Sequence, residues 1–199
     1  SAGGGVIANT VALYPERVAG LVFVAGAVRT GDPVADAWTT ASDEGRGGMS
    51  SLSATLGAIN PNNPLAQAAV RAIFTPERFA EIVTSTYYDP STMPDDAAEG
   101  YARPLLVPGW EGALLKIFTS GAPEDAYTPD DLAELDIPVL LMWGEDDSWV
   151  SFNVGRALEA LIPGAIMLSY PETGHMAMEE HPDLFNADLI GWLTQEFSR

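Results

Sequence analysis

Three short stretches of this sequence carry residue types that could do chemistry. The first is Ser1-Ala2-Gly3-Gly4-Gly5, a serine followed by small residues and then a helical pattern. Such a run suits a sharp strand-to-helix turn, where the serine backbone is strained and a neighbouring segment passes close. The amino end of the helix would stabilise negative charge at the serine oxygen, with the Ala2 amide as one oxyanion donor. No lysine follows as in a phosphate loop, and no G-x-G-x-x-G occurs. The second stretch is Leu141-Met142-Trp143-Gly144-Glu145-Asp146-Asp147. An apolar run ending in glycine and then acids places carboxylates at the carboxyl edge of a sheet, where open α/β sheets bind ligands. The third is Glu172-Thr173-Gly174-His175, a histidine just beyond another apolar run. Serine, acid and histidine, in that chain order and each at a strand end, suit nucleophilic catalysis. The histidine would be the general base and one of Asp146 and Asp147 would orient it.

These loops need a sheet to hold them. Three mainly apolar runs bounded by turn residues read as strands buried on both faces: Leu21 to Gly26, Pro138 to Gly144 and Ala165 to Pro171. Helical patterns cover Val6 to Tyr14, Asn153 to Leu161 and Leu184 to Phe197, so strand and helix alternate as in a parallel α/β sheet. Between the first two strands the pattern breaks. Residues 29–137 show a Gly/Ser-rich connector (Thr39 to Ser51) and helical pieces at Leu65 to Phe74, Pro76 to Thr84, Ala97 to Leu105 and Trp110 to Phe118. Thr75 is expected to cap the second piece, with Pro76 in its first turn. The acidic stretch Glu124 to Asp136 reads as a solvated linker surface. The division is therefore 1–28 sheet core, 29–137 helical cap and linker, and 138–199 sheet core.

Composition narrows the classes further. At 199 residues, 47% of them hydrophobic and 19% charged, the chain is a globular domain rather than a disordered or fibrous one. It has no cysteine and two histidines, His175 and His181, which excludes disulfide scaffolds, thiolate zinc and multi-histidine metal centres; no cofactor is expected. Twenty-eight acidic residues against nine basic ones give a formal charge of −19. That repels phosphate backbones and anionic lipid, so neither nucleic acid nor a membrane is an expected partner. No run of 18 apolar residues occurs and no basic n-region or apolar h-region opens the chain; a soluble protein is expected, its compartment open with the cytoplasm favoured.

The order and placement of these motifs resemble those of the α/β-hydrolase family, in its capped serine-esterase-like branch. The resemblance runs the length of the chain, from the nucleophile-elbow serine onward. The Trp143-Gly144-x-x-Asp147 run resembles the family's acid loop. Residues 175 to 186 (His-Met-Ala-Met-Glu-Glu-His-Pro-Asp-Leu-Phe-Asn) resemble the helix that follows its histidine, and Ala97 to Trp110 resembles the cap of esterase and epoxide-hydrolase-like members. The resemblance implies Ser1 as nucleophile, His175 as base, Asp147 as the acid with Asp146 as its rival, and Ala2 as an oxyanion donor. Trp149, Val150, Trp110 and Met176 become candidate substrate contacts. Tyr87, Tyr88, Phe118 and Met49 could also line an acyl pocket, although ordinary cap-core packing is the favoured account of each. Met178 is expected beside Met176 on the floor of the site, Arg29 is expected to anchor the cap, and His181 to cap the last helix.

A serine nucleophile implies acyl transfer to water, with carboxylic-ester hydrolysis as the first expectation. Amide, lactone or diketone cleavage, acyltransfer, and a ligand-binding role without turnover are the alternatives. Relative to the family the usual glycine two positions before the serine is missing, as are five earlier strands and the second oxyanion donor. An N-terminal partner segment of roughly 100 residues, by the size of an ordinary domain, is expected to supply them. Cleavage immediately before Ser1, giving a two-chain enzyme, is expected to produce it.

Overall fold

The computed structural model of the chain describes residues 1–30, 60–119 and 127–198. Met49 and the connector Thr39 to Ser51 lie outside these residues, as does the side chain of Phe118. In chain order the elements are α1 (Gly3–Leu13), β1 (Leu21–Val24), α2 (Pro64–Ile73), α3 (Pro76–Thr84), α4 (Ala97–Ala102), α5 (Trp110–Thr119), α6 (Pro129–Ala133), β2 (Val139–Gly144), α7 (Phe152–Leu161), β3 (Ile166–Tyr170), α8 (Ala177–Glu180) and α9 (Pro182–Phe197).

The three strands form one parallel sheet in the order β1-β2-β3. Leu21 pairs with Val139 and Val24 with Met142, while Leu140 pairs with Ile166 and Gly144 with Tyr170. Side chains alternate across β2 with the period of two that a strand imposes. Val139, Leu141 and Trp143 face a cluster with Phe23, Ala8 and Val11 of α1, and Val154, Leu158 and Ile162 of α7 and its end. Leu140 and Met142 face the opposite cluster, with Phe185 and Trp192 of α9. The helices obey their own period: Gly4, Ala8 and Val11 on α1 and Phe185 and Trp192 on α9 are the buried positions. All six residues of β2 are buried, as expected for a central strand.

β3 differs from its expected burial on both faces. Ile166 is 37% exposed and Ser169 is also exposed, because among the described residues β3 is a sheet edge. A second difference lies in the acidic stretch. There Thr128 caps α6 through a capping box with Asp131, and Leu132 is 0% exposed within the first cluster. Over residues 127–136 the linker reading failed because acids surround the few apolar residues, Tyr127, Leu132 and Leu135, that pack on the first cluster, and charge density hides them.

By their contacts, described residues 1–30, 86–92 and 127–198 form one unit, and 60–85 with 93–119 form another. The second unit is thus narrower than 29–137, and residues 86–92 return to the sheet unit. Within the second unit, Asn63 and Thr75 accept from Leu65 N and Arg78 N to cap α2 and α3. Val70, Phe74 and Leu115 form its core, with Trp110 set edge-on to Phe74 at 6.4 Å. Arg71 on α2 pairs with the buried carboxylate of Glu111 on α5. The helix expected over Ala97 to Leu105 ends at Ala102 and tightens into a 3₁₀ turn over Arg103–Leu106, since Pro104 cannot donate to an α-helical ladder. Among the described residues, no helix is long and apolar enough to cross a membrane.

Candidate active site

The site is built where β1, β2 and β3 end. Strand β1 stops at Val24 because Ala25 adopts a left-handed conformation at φ 43° and its N–H reaches Met142 O. The chain then passes over the first turn of α1. Ala27 N donates to Ser1 O at 2.9 Å, Gly4 N donates to the same oxygen at 2.9 Å, and the Ser1 nitrogen donates to Val24 O at 3.0 Å. A Cβ at Gly4 would lie 2.9 Å from Ala27 N and from the carbonyl carbon of Gly26. Of the small residues after the serine, Gly4 is therefore the one that close approach requires, whereas a Cβ at Gly3 would meet nothing within 4 Å. Ser1 itself is exposed, and Ala2 occupies the N-cap position of α1 with no side-chain capping bond.

The acid and histidine loops interlock. Glu145 N donates to Tyr170 O at 2.9 Å and Asp146 N to Thr173 O at 3.0 Å. A Cβ on Gly144 would stand 2.1 Å from Gly174 O, so only glycine fits this crossing. Glu172, at φ 49°, reverses the chain after β3 just as Ala25 does after β1. This brings His175 Nδ1 to 2.7 Å from Asp147 Oδ2, with both side chains nearly closed to solvent. The other carboxylate oxygen, Oδ1, accepts from Trp149 N at 2.7 Å and Val150 N at 2.9 Å. Three bonds thus hold one carboxylate in place. Because an ionised carboxylate only accepts, Nδ1 must carry the proton and Nε2 keeps its lone pair.

Of the two candidate acids, Asp147 meets His175, whereas Asp146 is exposed and engages Thr173 through its backbone. The indole of Trp149 lies 6.4 Å from the imidazole of His175, tilted by 31°. Val150 is buried in the sheet core and accepts from Trp143 Nε1 at 2.9 Å. Met176 is buried beside His175, but Met178 is 38% exposed and does not form a floor. Trp110 belongs to the core of the second unit. His181 occupies the N-cap position of α9 without a side-chain capping bond, so its expected capping role is corrected; Pro182 begins the helix instead. Tyr88 is exposed and Tyr87 buried, its hydroxyl bonded to Glu179. Arg29 meets the Tyr127 hydroxyl through its backbone nitrogen. Among the described residues no group of three His, Cys, Asp or Glu side chains could hold a metal ion.

One buried carboxylate had no signal in the sequence. Glu180 accepts from Gly174 N at 2.8 Å, Tyr88 N at 2.9 Å and Asp89 N at 3.3 Å. Its partners are backbone amides, which any residues would supply, so no side-chain pattern marks it.

Comparison with known proteins agrees with this architecture. Residues 1–182 match the family profile of the alpha/beta hydrolase fold, and the chain belongs to that family. It is 28% identical over 106 residues to an uncharacterized hydrolase, YugF, of Bacillus subtilis (strain 168), covering 53% of this chain and 38% of YugF. It is 40% identical over 118 residues to a 2-hydroxy-6-oxononadienedioate/2-hydroxy-6-oxononatrienedioate hydrolase of Cupriavidus pinatubonensis (strain JMP 134 / LMG 1197), covering 59% and 41% respectively. Among solved structures, the 2-hydroxy-6-oxo-6-phenylhexa-2,4-dienoate hydrolase of Rhodococcus sp. strain RHA1 superposes with a TM-score of 0.65 at 17% identity, covering 100% of this chain and 62% of that one. The fold is shared, and the chain spans about two fifths of the length of these curated relatives.

Proposed function

We propose that the chain carries the catalytic triad of a serine hydrolase, with Ser1 as nucleophile, His175 as general base and Asp147 as its orienting acid. The observation that carries this reading is the buried Asp147–His175 pair at 2.7 Å, on the loops that follow β2 and β3, with Ser1 tied through its backbone nitrogen to Val24 at the end of β1. In the reaction, Nε2 of His175 takes the Ser1 hydroxyl proton as Oγ attacks a substrate carbonyl carbon. The resulting tetrahedral oxyanion draws on the Ala2 amide at the start of α1, and His175 returns the proton to the departing group. Water then repeats the sequence on the acyl-enzyme and releases the acid. Asp147 keeps the proton on Nδ1 and stabilises the imidazolium that forms. The second oxyanion donor and the neighbours of the open β1 edge come from a further segment of the same fold. Trp149 lines the acyl side of the site.

The substrate class is a carboxylic ester. A chain of net charge −19 disfavours the approach of dianions. Hydrolysis of a carbon–carbon bond next to a ketone is the second reading, favoured by the 40% identity over 118 residues to a dienedioate hydrolase; the same triad would serve it. The full-length gene product should be labelled by a fluorophosphonate and should turn over short acyl esters repeatedly. Ser1→Ala should abolish both. Labelling without turnover would identify a ligand-binding protein instead, and turnover of a 2-hydroxy-6-oxo-dienoate with no ester activity would favour the second reading.

A further inference from the structure

The Glu180 carboxylate is buried, at 8% exposure, and has no salt-bridge partner among the described residues. A buried charge is costly unless its hydrogen bonds are made. Here three backbone N–H groups meet it: Gly174 on one oxygen, and Tyr88 and Asp89 on the other. One of these donors is the residue immediately before His175. The bridge does not stand alone. His175 N donates to Thr86 O at 2.8 Å. Gly174 also lies so close to this segment that a Cβ would meet Thr86 O and Tyr88 N at 2.6 Å each. The imidazole is therefore held from two directions. Asp147 fixes the ring, and residues 86–89 fix the backbone that carries it.

We propose that Glu180 is a positioning residue for the reaction, clamping the Gly174–His175 backbone to the Tyr88–Asp89 backbone so that Nε2 of His175 stays aimed for proton transfer. The inference rests on the serine-hydrolase reading for its kinetic consequence, but its geometric content is independent of that reading. The physical basis is that a general base must be held to a fraction of an ångström, so small backbone shifts far from the bond-making atoms reduce the rate. A carboxylate can satisfy donors on both sides; an amide cannot. In Glu180→Gln the NH₂ group must face either Gly174 N or the Tyr88 and Asp89 pair, donor against donor, and one side of the clamp opens.

The test compares Glu180→Gln and Glu179→Gln with the unaltered full-length gene product. Glu179→Gln retains an acceptor for the Tyr87 hydroxyl. Sites are first counted by fluorophosphonate titration, and kcat is expressed per titrated site. Glu180→Gln is expected to lose about 10- to 100-fold in kcat per site, as misplacement by about an ångström does. KM should change little and the acid limb of the pH profile should move; Glu179→Gln should match the parent. A purely structural role would lower the number of titrated sites and leave kcat per site and the pH profile unchanged, which would overturn the proposal. A second readout needs no turnover. The Nδ1 proton of His175, held by the Asp147 carboxylate, can be followed by NMR. Clamp loss should broaden or shift that resonance in Glu180→Gln alone. An unchanged resonance would reject the clamp, whereas failure of the parent to label would reject the hydrolase reading and leave the NMR comparison to decide the geometry.

Discussion

At the scale of single residues, two adjacent aspartates have opposite fates. Asp147 accepts three hydrogen bonds and is 4% exposed, while Asp146 is exposed and bonded only through its backbone. Asp147→Asn would keep the shape of the side chain, but its amide would favour the wrong histidine tautomer. On the serine-hydrolase reading, turnover should fall about 10,000-fold, as for the corresponding change in serine-protease triads, while Asp146→Asn should stay within about twofold, as surface changes usually do. Steady-state assays on the purified variants decide this. The sequence pointed to both acids because both follow the end of β2; the selection depends on how the turn winds, which residue types alone do not encode. His175 was legible because it follows a strand run and a glycine. Glu180 was not, since it is one of 28 acids and binds only backbone.

At the scale of elements, the strands were readable to within a few residues because each is a short apolar run bounded by turn residues, although only β2 is buried along its whole length. Their ends were less so: β1 stops at Val24 through the left-handed Ala25, which nothing in Leu21 to Gly26 announces. The crossing of the acid and histidine loops yields a sharp expectation. Gly144→Ala would drive a methyl group into Gly174 O, 2.1 Å away, with backbone on both sides and no flexible side chain to yield. Unfolding in urea should show a loss of more than about 3 kcal/mol, in the severe range for single substitutions. Helix α6 was hidden by its acids, and Leu132→Ala should cost about 2–5 kcal/mol, as cavities in a closed core do. If the midpoint of denaturation hardly moves, α6 is the linker that its composition suggests. In the second unit, the Arg71 guanidinium holds the Glu111 carboxyl below its ordinary 4.5, hydrogen bonding being the larger cause. A depressed folded value means that this pair stabilises above 4.5 and is lost as pH falls through the folded value. Melting temperature followed downward from pH 6 should therefore drop less steeply in Glu111→Gln than in the parent.

At the scale of the whole molecule, charge dominates. A net −19 on 199 residues makes the folded state repel itself, and salt screens that repulsion within about 10 Å at 0.1 M. Raising sodium chloride from low to moderate concentration should raise the melting temperature; a fall would mean that local ion pairs outweigh the net field. The division into two units carries a different consequence. Residues 86–92 pack with the sheet, yet the chain on either side of them, α3 before and residues 93–119 after, belongs to the other unit. The helical insertion is therefore not a cassette that can be lifted out between two cut points and exchanged for that of another enzyme. A swap spanning it would carry away the strip of backbone against which the histidine loop is braced. Chimaeras that retain residues 86–92 and exchange the flanking pieces separately are the ones that leave the host's proton-transfer geometry with its own support.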